Sequence, residues 1–456
     1  MAIEDDVLVI GGGLAGATAA LSAAERDATV RLVSYKQSTL RHASGLIDVL
    51  GYMPTGVDEV NDGDDGGDGS GTETPLVDPF EAIPSLPEGH PYERVGLETV
   101  REALLFFDSI AGDAYAGEHT DANALVPTHG GTVKPTARYP ATTAAGIASD
   151  PRDALLVGFE TLPDFDAPLA SAHLQAAEVP FESRGITLSF PGIRRSDAKI
   201  TRYAHILERD ESVDTGAGDG PARAALAHAI GTELEDESRV GLPAVLGDEH
   251  ADTVRRDLEE RLGIDVFEVP MGPPSLPGIR LEELLYDALE EAGVRVTTGV
   301  PVVDYEPVDG ANGSDTIERI DHVVVDRNGQ QVPYSAQQYV LATGGLVGKG
   351  VRSDRDRVFE PIFDCHVAHS ADRYDWFVDD AFGDHPFAQF GLSVDRELRP
   401  LEESDGEEAD DIEFSNLRAA GAILGGFDAA AEKSASGVSL ATGYAAGSRA
   451  GQEASE

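Results

Sequence analysis

The amino-acid sequence predicts an α/β fold in which a Rossmann-like nucleotide-binding domain of the two-dinucleotide-binding type carries an inserted α/β cap domain. Three observations lead to it. The chain opens with a strand, a glycine-rich turn, a helix and a second strand. Helical patterns and short apolar strands then alternate through its middle, and glycine-punctuated apolar segments return in the last third.

Asp5–Ile10 ends in an unbroken apolar run, as expected of a buried parallel strand. Leu14–Arg26 reads as an alanine-rich helix able to pack closely, and Thr29–Ser34 as a second strand, giving a βαβ start. Between strand and helix, Gly11-Gly12-Gly13-Leu14-Ala15-Gly16 fits G-x-G-x-x-G. Gly11 would allow the tight turn, Gly13 the approach of backbone to a pyrophosphate, and Gly16 close packing. The helix start at Leu14 and Ala15 offers unpaired N–H groups to the anion. Such sites usually carry an acid about 20 residues further on. Here the second strand ends at Ser34, whose hydroxyl cannot clamp two ribose hydroxyls as a carboxylate does. That argues against a tightly held adenosine half and leaves room for a mononucleotide at the same helix end. The uncharged run Val7–Ala24 follows Glu4, Asp5 and Asp6 and is interrupted by three glycines, so neither a signal peptide nor a membrane span is expected.

Residues 58–83 are expected to be an acidic, flexible insert, and the stretches 210–220 and 402–411 look like similar surface insertions. The cap domain is expected over 84–263. Its helical patterns are Glu93–Ile110, Ser196–Glu208, Pro221–Ile230 and Glu249–Leu262, and its strands Ala154–Phe159, Ile186–Phe190 and Leu242–Leu246. The nucleotide-binding domain is then discontinuous, 1–57 and 264–456. Its second part should hold a helix at Leu281–Ala292, an antiparallel set around 294–303, 317–326 and 331–340, and a packed small-residue helix at Gly437–Gly447.

Two segments favour a flavin over a nicotinamide cofactor. Val340–Gly345, with Thr343 and Gly344, looks like the strand end by which flavin enzymes of this type return to the nucleotide site. Asn416–Phe427 looks like their C-terminal strand and turn beneath the ribityl chain, with Gly421, Gly425 and Gly426 in the turn. A second usual acid is missing there, at Ala422. Downstream, Gly437 and Val438 begin a helix whose N-terminus could stabilise negative charge on a reduced flavin.

Composition narrows the function further. With 83 Asp+Glu against 34 Lys+Arg, the formal charge is -49, which excludes nucleic acid and anionic lipid as direct partners. Lysine is depleted, 5 against 29 arginines, the balance of a protein adapted to a high-salt interior, where self-repulsion is screened. The single cysteine, Cys365, excludes a disulfide framework and a cysteine-ligated cluster, and no metal site is expected.

Five motifs carry a family resemblance: Gln37-Ser38-Thr39-Leu40 with Ala43–Asp48 (ASGLID), Pro273–Arg280 (PPSLPGIR), Gln389-Phe390-Gly391, and Gly421–Asp428 (GAILGGFD). Together they resemble the B-subunit family of anaerobic glycerol-3-phosphate dehydrogenases, over about 1–57, 123–147, 265–300 and 338–450. The resemblance implies a flavoprotein using FMN, with FAD as the alternative, and places Ser38, Ser44 and Gly45 at the cofactor. It implies two partners of the same dehydrogenase: a catalytic, FAD-containing subunit, and an iron–sulfur subunit that docks on the membrane and feeds quinone. The chain would then be cytoplasmic, peripheral on the inner membrane face, and part of the oxidation of sn-glycerol 3-phosphate to glycerone phosphate. A standalone FAD-dependent oxidoreductase of fumarate-reductase type, or a non-catalytic assembly subunit, remains open.

Few residues stand out as catalytic. His42 lies where fumarate-reductase-like enzymes carry a histidine that can bond to flavin, and it is expected near the ring, either bonded or simply packed over it. Arg280, Arg352, Arg355 and Arg357 are candidates for a substrate phosphate, because guanidinium forks suit a dianion. His366 and His129 are candidate proton acceptors.

Overall fold

The computed structural model describes residues 3–36, 38–54, 74–196, 198–214, 218–308, 317–381, 383–402 and 411–456. Most of the acidic insert, and the acidic core of the 402–411 stretch, lie outside them. The described chain divides into two compact units, Met1–Thr39 with Asp48–Ile110 and Leu284–Glu456, and Leu40–Ile47 with Ala111–Glu283.

The first unit is built on a seven-stranded sheet. Its parallel part runs Arg295–Thr298, Val30–Ser34, Ile3–Ile10 and Gln330–Leu341, with Leu417–Ala419 parallel to the last of these. Ile320–Arg327 and Val302–Pro307 extend it antiparallel. The 12-residue strand Gln330–Leu341 makes the change possible. Its C-terminal part pairs Ile10 through Leu341, while its N-terminal part pairs Val325 through Val332. Val7, Leu8 and Val9 are fully buried, as a strand covered on both faces requires.

The helix Leu14–Ala24 is buried from Leu14 to Ala23. It packs on the C-terminal helix Ala435–Ser455, which is longer than expected and carries glycines every fourth residue towards it. A Cβ on Gly443 would stand 2.5 Å from the Ala15 carbonyl oxygen, and one on Gly451 2.8 Å from that of Ala23. At Gly447 it would run into the Ala19 carbonyl. The two helices therefore meet backbone to backbone, and any larger residue in that stripe would push them apart.

The second unit is a four-stranded parallel sheet in the order Asp265–Val269, Arg239–Pro243, Ala154–Phe159 and Ser183–Leu188. Ala154–Phe159 is buried at every residue. Leu155 and Val157 enter a core with Tyr203, Ile206, Leu226 and Leu258, while Leu156 enters another with Phe165, Leu174 and Phe267. Among the described residues no helix is long and apolar enough to cross a membrane.

Several expected boundaries shift. Residues 79–83, expected in the flexible insert, are folded, with Phe80 and Ile83 buried and Asp78 capping the helix Pro79–Ala82. The helix expected at Glu93–Ile110 is two helices, Pro91–Val95 and Leu97–Ala111, broken by Gly96 at φ 83°. These helices belong to the first unit, so the inserted unit begins at Ala111 and not at 84. It ends at Glu283 and not at 263, because Asp265–Val269 pairs with Arg239–Pro243. The strand expected over 294–303 is two strands separated at Gly299, φ 80°, and the first joins the parallel edge rather than an antiparallel set.

Candidate functional site

The glycine loop is shaped by three different demands. Gly11, at φ 123°, lies so close to the Ala342 carbonyl that no side chain fits, and Gly16 lies equally close to the Gly11 carbonyl. Gly13 is different. Its Cβ would meet only the Thr39 hydroxyl, at 3.8 Å, so the space above the helix start is open. Gly13 caps the helix without a side-chain hydrogen bond, and no acid stands in the first turn. The N–H groups at Leu14, Ala15 and Gly16 have no intrahelical acceptor, and the helix dipole adds to their pull on an anion.

Two further strand ends converge on this loop. Ala342 donates its amide to Ile10 at 2.8 Å, which brings Thr343 and Gly344, φ 81°, to the turn. The Thr343 hydroxyl oxygen is buried there with no hydrogen-bond partner among the described residues. Ala420 donates to Leu341 at 2.9 Å, and Gly421, φ 78°, leaves its missing Cβ 2.6 Å from the Ala15 Cβ. An open helix terminus, an orphaned buried hydroxyl and two glycines in the left-handed region fit a flavin phosphate and polyol chain. Gly11, Gly13, Gly16, Thr343, Gly344 and Gly421 would hold it. When bound, a flavin supplies hydride and electron transfer that side chains cannot.

Ser34 is buried but its hydroxyl donates to the Lys36 carbonyl at 2.8 Å. Beside it lies Tyr286, which the sequence does not single out. Its hydroxyl donates to the Gly12 carbonyl at 3.1 Å and would meet a Gly12 Cβ at 2.5 Å.

The motifs of the family resemblance pack in pairs. Within the first unit, Gly391 lies against the backbone of Ile423–Gly425, Leu392 donates to Ile423 at 2.9 Å, and Gly426 donates to Gln389 at 3.1 Å. Gln389, Phe390, Gly391, Gly425, Gly426 and Asp428 share the wall of a cavity of about 540 Å³, a size suited to a small ligand. Within the second unit, Gly278 lies against the carbonyls of Leu40 and Ala43, and Gly45, φ 79°, against Pro277. Ser275 donates to Arg41 at 3.2 Å, and Arg41 pairs with Glu282. The Ser44 hydroxyl accepts from the Leu46 amide at 3.4 Å, and Ser38 is buried. Gln37 lies outside the described residues.

Other expectations fail on partners. Gly437 donates its amide to the Asp48 carbonyl at 2.6 Å and Val438 donates to Ser434 at 2.9 Å, so neither is a free donor to a flavin ring. Arg280 is occupied within its own unit. Its guanidinium grips the carboxylate of Glu268, at 2.6 and 3.0 Å, and the Gly247 carbonyl, which leaves no fork for a phosphate. Arg352, Arg355 and Arg357 are exposed around the short hairpin Arg352–Ser353 and Val358–Phe359, and Arg357 stacks on Phe359 and faces Asp364 at 3.4 Å. His42 and His129 are exposed, whereas His366 is half-buried.

The chain matches the family model described as FAD binding domain over residues 6–438. It is 60% identical, over 99% of both chains, to the B subunit of a probable anaerobic glycerol-3-phosphate dehydrogenase from Halobacterium salinarum. It is 30% identical to the B subunit of an anaerobic glycerol-3-phosphate dehydrogenase from Vibrio cholerae, over 96% of this chain and 94% of that one. Among solved structures, it is similar to the open conformation of a flavocytochrome c3 fumarate reductase at 11% identity and a TM-score of 0.41, covering 100% of this chain and 79% of that one.

Proposed function

This chain belongs to the B-subunit family of anaerobic glycerol-3-phosphate dehydrogenases, within the FAD binding domain proteins, and from that premise we propose how it works. It is one subunit of a flavin-dependent oxidoreductase. In the proposed reading it takes part in oxidising sn-glycerol 3-phosphate to glycerone phosphate and relays electrons through its flavin. The recipient is an iron–sulfur partner serving membrane quinone, and the substrate is held by a second flavoprotein of the same complex. The chain would reach the inner membrane face through the iron–sulfur partner, since no described helix can span a bilayer.

The observation that carries the flavin role is the open space at Gly13 above an uncapped helix start, with the orphaned Thr343 hydroxyl on the strand end that reaches the same glycine loop. Gly13, Leu14, Ala15 and Gly16 would hold the phosphate, Thr343, Gly344 and Gly421 the polyol chain. His42 would stand near the ring. We read the flavin as FMN, because Ser34 spends its hydroxyl on Lys36 and Ala422 offers no carboxylate. A second reading, FAD, is favoured by the match to the FAD binding domain model.

One experiment tests both. The full chain, purified in molar salt, should show a flavin absorbance spectrum, and acid should release FMN identified by chromatography. Released FAD would select the second reading. Flavin that stays on the precipitated protein would indicate a covalent link and point to His42, and a colourless protein that takes up neither flavin would sink the proposal.

A further inference from the structure

We propose that His90 and Glu432 are a positioning pair that holds the Gly425–Asp428 turn in the shape a bound flavin requires. This rests on the flavin reading above and on the likeness of Asn416–Phe427, with Gly425 and Gly426 in its turn, to the segment beneath the ribityl chain of flavin enzymes. Neither residue belongs to a motif of the family resemblance, and they stand 342 residues apart in sequence.

Both side chains are buried, at 0% and 2% exposure. His90 Nδ1 accepts the Tyr92 amide at 3.0 Å, capping the helix Pro91–Val95, so the ring proton sits on Nε2. Nε2 donates to Glu432 Oε2 at 3.1 Å. The rest of the Glu432 side chain is equally committed. Oε2 also accepts the Ser434 hydroxyl at 2.8 Å, and Oε1 accepts the Asp428 amide at 2.8 Å. The Glu432 carbonyl accepts the amides of Gly51 and Tyr52, at 2.8 and 3.1 Å.

The turn is thereby fixed at both ends. Gly426, φ 80°, rests on the segment leading into His90, where a Cβ would stand 2.9 Å from the Gly89 carbonyl oxygen. The Phe427 ring meets the His90 ring edge-on at 5.9 Å between centroids. At the far end the Asp428 amide is tied to Glu432. Gly425, Gly426, Asp428 and Glu432 all line the 540 Å³ cavity, so a slip in the pair moves the cavity wall directly. Burying a histidine and a carboxylate costs desolvation that an apolar pair would avoid. A fully satisfied network of this kind fixes one geometry, which is what a cofactor cradle needs.

Two half-replacements separate positioning from packing. His90→Asn keeps an acceptor near the Nδ1 position for the Tyr92 amide and loses the donor to Glu432. His90→Gln keeps a donor near Nε2 and loses the cap. The full-length chain, stripped of flavin in molar salt, would be titrated with FMN and with FAD by fluorescence quenching. His90→Asn should raise the flavin dissociation constant about tenfold and shift the visible absorption of the bound flavin. His90→Gln should bind as the parent does while melting lower. Glu432→Gln, which disrupts the same contacts from the other side, should match His90→Asn and serves if that variant does not fold. Parent-like dissociation constants and spectra in His90→Asn and Glu432→Gln would overturn the positioning role while leaving the flavin reading intact. A parent that takes up neither flavin would overturn the reading and the pair's role together.

Discussion

Each unit buries a carboxylate completely, and the two are stabilised in opposite ways. In the inserted unit, burial pushes the Glu268 carboxyl up. The charge and hydrogen bonds of Arg280, with the Leu246 amide and Thr142 hydroxyl, outweigh that and hold it below its ordinary value. In the nucleotide-binding unit, burial pushes Glu360 up to about 7. Its partners are the amides of Ile362 and Phe363, at 2.9 and 2.7 Å, and Glu413 nearby adds repulsion. The first carboxylate works as an anion and ties a strand to the helix carrying PPSLPGIR; the second is held partly as an acid. The surface carries most of the -49 charge and is screened in molar salt, but these two sites are fully buried, so they keep their electrostatics where surface pairs lose theirs.

The strongest way to break the contrast is Arg280→Met. It strands an anion in a fully buried position, and loss of one partner from such a pair costs about 3–5 kcal/mol. Unfolding by denaturant at pH 7 should show that loss, and it should shrink towards pH 5 as the bare carboxyl takes up a proton. Adding Glu268→Gln should recover most of it, since the double change removes the stranded charge. If Arg280→Met kept the parental stability and instead weakened glycerol 3-phosphate binding, the arginine would belong to a phosphate site after all.

Glu360 should give a smaller effect of the opposite sign with pH. Its folded-state pKa, about 7, lies above the ordinary 4.5, so the folded state holds the proton more tightly than the unfolded one. The stability it contributes is present below about pH 4.5 and is lost as pH rises to 7, by a few kcal/mol at most. Glu268 has a depressed pKa and runs the other way, losing its contribution as pH falls. Melting followed from pH 5 to pH 8 should therefore decline in the parent more than in Glu360→Gln. Equal slopes in the two would place the proton elsewhere, with Glu413 the next candidate, its carboxyl also raised by burial.

The contrast also shows what a sequence can reveal. The glycine loop, the strand ends at Thr343 and Gly421 and the small-residue C-terminal helix were legible, because each requires glycine or alanine where backbone meets backbone. The helix break at Gly96 and the strand break at Gly299 were not, since a glycine inside a periodic pattern does not announce a positive φ. Nor was the boundary of the inserted unit, which depends on Asp265–Val269 pairing with a strand that ends 22 residues earlier. Charged residues were the least legible. Arg280 reads as a phosphate ligand until Glu268 is seen to occupy it, and nothing in spacing links His90 to Glu432 or Tyr286 to Gly12. A fork of donors looks the same in sequence whether its acceptor is a substrate or a carboxylate folded against it.

Arg355 is the opposite case from Arg280 and should give the smallest effect. It was a candidate for the same phosphate, but it is exposed and makes no ion pair among the described residues. An exposed arginine in a strongly acidic chain mainly lowers repulsion, and in molar salt that repulsion is already screened. Arg355→Ala should change unfolding stability by no more than about 0.5 kcal/mol and leave flavin retention as it is. A tenfold weaker glycerol 3-phosphate affinity in Arg355→Ala, measured by calorimetry on the full chain, would return the phosphate role to that hairpin. With Arg280 closed off by Glu268 and Arg357 turned to Asp364, an unchanged affinity would shift the phosphate-binding role towards another member of the complex, as the proposed division of labour requires.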